Sequence, residues 1–173
     1  MQELVSLVAL VVLMWPAFSR QTGDSKSQTT QSQAADTQSS QDLRDLTARK
    51  TALLTDSQDL EAMAQSLNGV QGGEFSTAMS LDEKASQGIM EVDAAIWFVA
   101  LYSKMQCEPD REVARAALKN RLGFYAHLLD MEADNVGGHL SFTKLPAIAQ
   151  SGARVRDELR GAKAKMDEIA GRL

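Results

Sequence analysis

The sequence predicts an all-α fold: an antiparallel four-helix bundle or a coiled-coil-like helical domain, behind a disordered N-terminal tether. Three observations carry this expectation. Of the 173 residues, 44% are hydrophobic, yet only 5% are aromatic and only three are proline. Ala, Leu, Met, Glu, Lys, Arg and Gln dominate, all good helix formers. Apolar residues beyond position 41 recur every three or four places, with almost no strict alternation of the kind a strand shows.

Residues 4–18 read LVSLVALVVLMWPAF, an uncharged apolar run. It is short for a membrane span, which needs about 20 residues, and has the length of a secretory-signal core. Pro16 breaks a helix there, and Ala17-Phe18-Ser19 supplies a small-x-small cleavage pattern that would leave Arg20 as the new N-terminus. Glu3 stands where a signal peptide carries Lys or Arg. Residues 1–19 are therefore expected as a cleaved signal peptide or a retained hydrophobic anchor. Across residues 20–40, 14 of 21 side chains are Gln, Ser or Thr. Such a stretch buries too little apolar surface to offset its ordering entropy and reads as a disordered linker.

Residues 41–173 are expected to form the helical domain, with helices at about 41–67, 81–107, 109–133 and 146–173. In the first, Leu46, Leu53, Leu60 and Leu67 repeat every seven residues, with Leu43 and Ala64 on the same seam and Lys50 and Ser57 interrupting it. Asn68-Gly69-Val70 supplies a C-terminal stop. In the second, Ser80 and Glu83 spell a capping box, and Ala85, Ile89, Val92, Ile96 and Val99 follow at helical spacing. Its run AAIWFVALY, residues 94–102, is apolar all round, which suits a helix at the centre of a core or under a partner. The third opens at Pro109 with Glu108, Asp110 and Glu112 at the positive end of its dipole. Val113, Ala117, Leu118, Leu122, Tyr125, Leu128 and Leu129 form its apolar face, and Gly137-Gly138 is expected in the loop after it. The fourth carries the cleanest seam: Ile148, Gly152, Val155, Leu159, Ala162, Met166, Ile169 and Leu173. The short connection at Glu108-Pro109 forces the second and third helices antiparallel, so a monomeric up-down bundle is favoured over an extended two-chain coil.

Charge and motif content exclude several functions. Net charge is −5, with Lys and Arg interspersed among Asp and Glu. Nucleic-acid binding needs a local cationic surface, and none is expected here. Cys107 is the only cysteine, so no disulfide can form within the chain, although it can pair between chains. There is no C-x-x-C-H, no Glu-x-x-His, no G-x-S-x-G and no phosphate-cradling glycine loop. No catalytic residue, cofactor or metal is assigned, and the chain is not expected to be an enzyme.

Two candidate sites remain. His127, Asp130, Glu132, Asp134 and His139 are the residues that would hold a divalent metal, in the loop expected after the third helix. Their spacing matches no established site; as a calcium loop the run fails at Asn135 and Ser141, where Gly and Glu are required. Trp97, Phe98 and Tyr102 span adjacent helix faces, so at least one points away from the Ile89-Val92-Ile96-Val99 stripe and offers a partner surface. The expected function is that of an exported helical protein, periplasmic, secreted or membrane-tethered, working through protein contacts as a structural, adaptor or chaperone-like module. Its partner would be another protein or a second copy of itself. Membrane contact is expected only through residues 1–19, if they are retained. The alternative is a bundle binding a small molecule, haem or metal through the His127 to His139 region or the aromatic segment around Trp97.

Overall fold

The computed structural model describes residues 27–67 and 72–173. Their regular structure is four α-helices: α1 (Ser27–Leu67), α2 (Gly72–Ser103), α3 (Glu108–Leu140) and α4 (Pro146–Arg172). Residues 34–173 form one compact unit. The expected signal or anchor, residues 1–19, and residues 20–26 of the expected linker lie outside the described residues, as does the stop at 68–70.

Cross-helix pairs fix the topology. Arg49 pairs with Glu158 and Arg154 with Asp56, so α1 and α4 run antiparallel. Lys50 pairs with Asp93, and Ser57 donates to Asp82, so α1 and α2 do the same. Lys84 pairs with Glu132 across α2 and α3, and Arg160 with Asp134 across α4 and α3. The result is an up-down-up-down four-helix bundle with α1 diagonal to α3 and α2 diagonal to α4. Lys50 and Ser57, the two interruptions of the α1 seam, are each answered by an acid on α2.

Inside, Leu46, Leu53, Leu60 and Ala64 of α1 are fully buried, together with Ile148, Val155, Leu159, Ala162, Met166 and Ile169 of α4. Full burial of one such aliphatic side chain stabilises by about 1.5–3 kcal/mol. At the middle of the bundle Gly88 lets the helices close in. A Cβ there would lie 2.2 Å from Leu159 Cδ2, with Leu53 and Leu129 also within 4 Å.

Three helices are longer than their sequence patterns suggest, for three reasons. No Gly or Pro occurs between residues 24 and 67, so α1 begins at Ser27 and overlaps the stretch read as linker. α2 begins at Gly72, so Ser80 lies inside it and the capping box goes unused. Tertiary contacts draw that start back: Thr77 and Ala78 are buried, and Glu74 accepts hydrogen bonds from Thr143 Oγ1 and, at 2.7 Å, from the Lys144 N–H. α2 also stops at Ser103, short of Cys107. α3 runs on to Leu140 through Gly137-Gly138, because the buried seam of Leu129, Ala133 and Val136 is continued past the glycines by Leu140, which packs against the core. The loop expected after residue 133 is therefore helix.

Candidate functional site

The outer face of α2 and α3 is the largest departure from the expected burial. On α2, Met90, Trp97 and Leu101 are spaced by seven and four residues and so form one row. On α3, Val113, Phe124 and Met131 form a second, at spacings of eleven and seven. All six are exposed, Trp97 at 60% and Phe124 at 52%. Residues 94–102 are thus not enclosed on all sides, and Val113 does not belong to the α3 core.

Each helix contributes an aromatic doublet, and successive residues on a helix point about 100° apart. Trp97-Phe98 and Phe124-Tyr125 therefore each place one ring outward and one toward the neighbouring helix. The four rings make a continuous chain across the α2–α3 boundary. Trp97 meets Phe98 edge-on with centroids 5.0 Å apart, Phe98 lies 6.3 Å from Tyr125, and Tyr125 lies 5.6 Å from Phe124. Arg121 sits 5.9 Å from the Phe98 centroid, within reach of a cation–π contact. The inner rings fix the outer ones, so an apolar surface is held in place instead of folding down onto the bundle.

Of the three aromatic residues expected as a partner surface, Trp97 and Phe98 share this chain. Tyr102 does not. It stands one turn further on, with Arg111 Cζ 5.3 Å from its ring centroid and Arg115 Nε donating to its hydroxyl at 3.4 Å. Phe124 was not identified from the sequence, although the Phe124-Tyr125 doublet repeats the signal that singled out Trp97-Phe98.

The five candidate metal ligands are dispersed, because α3 carries them around its circumference. His127, Asp130 and Asp134 follow each other at spacings of three and four, whereas Glu132 and His139 lie on another side, seven apart. Glu132 is paired with Lys84 at 3.2 Å, Asp134 with Arg160 at 3.3 Å, and His127 is exposed. Among the described residues no three His, Cys, Asp or Glu side chains gather as a metal site. Cys107 is an exposed free thiol at the N-terminal boundary of α3.

One carboxyl between α2 and α3 has unusual acidity. Glu91 Oε2 is buried and accepts no hydrogen bond from the described residues. Burial, and then the negative charge of Glu132, push the Glu91 carboxyl up to about 7. The group exchanges a proton near neutrality. Lys84 lies on Glu132, and no nucleophile of the described chain is paired with Glu91.

No family model, curated protein or solved structure matches this chain. Among the described residues, no helix is long and apolar enough to cross a membrane.

Proposed function

We propose that this chain is a non-enzymatic, exported helical module that works through protein contacts, with the outer face of α2 and α3 as its contact surface. The observation that carries the reading is the exposure of Trp97 on a ring chain that holds it outward. Clusters of large exposed apolar side chains on soluble domains mark interaction sites, and aromatic residues dominate the energetics of such sites. The partner we assign is a second copy of the chain. Two antiparallel helices with an apolar central strip and charged flanks suit a two-fold, self-complementary contact with the same pair of helices. Export is supported by the residue pattern at 4–19 and by the Gln/Ser/Thr-rich stretch that follows.

A photo-reactive residue placed at Met90 or Met131 tests the contact. Either should cross-link to α2 or α3 of a second copy, whereas the same group at Arg160, on the α4 side, should not. Equal cross-linking from all three positions would rule out a specific face. Export is tested by sequencing the N-terminus of the mature protein, where Arg20 or a near neighbour is the expected first residue. An intact Met1 on protein found in the cytoplasm would rule export out.

A further inference from the structure

At the end of the bundle where α2 and α4 finish and α3 begins, three arginines face one cavity of about 360 Å³. They are Arg111 and Arg115 of α3 and Arg172 of α4. Asp42 of α1 is the one acidic side chain among the residues lining it, and it is already engaged by Arg172 at 2.7 Å and Lys165 at 3.0 Å. The other two guanidiniums lean on partners of their own helix surface and on Tyr102, whose hydroxyl accepts from Arg115 Nε at 3.4 Å. Arg115 pairs at 3.0 Å with Glu112, and Arg111 at 3.9 Å with Glu108, both one turn away on the same exposed helix surface. Arg111 Nε is buried and donates to none of the described residues. A buried charged donor left without an acceptor is unfavourable, and an incoming oxyanion would relieve it.

Gln38 and Ser39 of α1 line one side, and the rest of the wall is apolar: Val99, Leu118, Ile169 and Leu173, with the Tyr102 ring beneath Arg111. Tyr102 and Leu118 also wall a second, adjoining cavity of about 270 Å³ between α2 and α3, bounded by Phe98 and Leu101. The first space thus offers three guanidiniums; the next, past a shared wall, is mostly hydrocarbon, with Arg121 near the Phe98 ring at its edge.

We infer that this end of the bundle binds an amphiphilic organic anion, its carboxylate or phosphate head held by Arg111 and Arg115 and its apolar chain laid past Leu118 toward Phe98. Planar guanidiniums take oxyanions through paired, charge-assisted hydrogen bonds, whereas an uncharged head leaves those donors unsatisfied. An inorganic anion satisfies the arginines and leaves the apolar walls wet. The site therefore distinguishes ligands by requiring both parts. Its failure would leave the α2–α3 contact surface untouched, since the two are read by different measurements.

Calorimetric titration of the full chain with decanoate below its micelle concentration, with decanol and with inorganic phosphate tests this. Decanoate should bind at least about tenfold more tightly than either of the others, as loss of one or two charge-assisted hydrogen bonds implies. Arg111→Gln combined with Arg115→Gln should weaken decanoate by at least about tenfold. Arg160→Gln, remote from the cavity, should leave it unchanged. Should the double variant not fold, Arg111→Gln alone carries the test, with a loss of at least about threefold expected. Equal binding of decanol means a merely greasy groove, and equal binding of phosphate means a simple anion site. Either result overturns the proposal, as does absence of decanoate binding or a folded arginine variant that binds like the parent.

Discussion

The Phe98 ring of α2 lies 6.3 Å from the Tyr125 ring of α3 and is tilted 33° to it. This contact ties the two helices that present the exposed rings. Phe98 is half-buried against the core, whereas Trp97 is mostly solvent-exposed. Phe98→Ala should therefore lower unfolding free energy by about 2–3 kcal/mol, below the range for a fully buried ring. Trp97→Ala should change it by less than about 1 kcal/mol. Urea unfolding followed by circular dichroism separates them.

Gly88 should resist enlargement. Leu159, the side chain a Cβ would strike, is itself fully buried, and Leu53 and Leu129 stand within 4 Å of the same Cβ. Gly88→Ala should cost about 1–3 kcal/mol through overpacking, outweighing the roughly 1 kcal/mol gain in helix propensity. At Gly137 and Gly138 an added methyl group would meet nothing within 4 Å, so Ala at either should stabilise by roughly 0.5–1 kcal/mol. A loss of stability on Gly137→Ala would argue for the loop that the sequence suggests there.

Much of the bundle was legible because aliphatic seams report burial directly. The α4 seam from Ile148 to Ile169 is buried as its spacing indicates, and Leu46, Leu53 and Leu60 do the same for α1. Helix ends were less legible, because they depend on distant residues. Ser80 and Glu83 satisfy a capping pattern, but contacts of Glu74 with Thr143 and Lys144 carry the helix past it. At Gly137-Gly138, packing of Leu140 against the core, one turn on from the buried Val136, outweighs two poor helix formers. The aromatic site was half legible. A doublet reveals that one ring must point outward, but only packing shows that Phe98 and Tyr125 meet.

Glu91 makes stability depend on pH. Its carboxyl is raised in the folded chain from 4.5 to about 7, so below pH about 4.5 both folded and unfolded states hold the proton. As pH rises from there through 7, the unfolded chain releases it first and the folded state loses ground. Glu91→Gln should stabilise at pH 8 by about 1 kcal/mol, once solvent screening of a half-buried group is allowed for, and have no effect at pH 4. Thermal unfolding at the two pH values checks this.

Asp42 has the opposite sign. Burial pushes its carboxyl up, but hydrogen bonds from Arg172, Lys165 and Gln38 together outweigh that and hold it below its ordinary 3.8. Its contribution is present above pH 3.8 and is lost as pH falls through the lowered value. Asp42→Asn should cost about 1 kcal/mol at pH 7, since Arg172 and Lys165 each lose a charge-assisted bond while Lys165 keeps Asp45 and Glu168. The difference from the parent should close in strong acid.

The contact surface on α2 and α3 is tested most directly by light scattering coupled to size exclusion, across a range of concentrations. The parent chain should run as a dimer that dissociates on dilution. Trp97→Ser combined with Phe124→Ser should give a monomer at every concentration, with an unfolding midpoint close to that of the parent diluted to its monomer. A parent that stays monomeric throughout, or a double variant that dimerises as the parent does, would contradict a self-association surface built on these two rings.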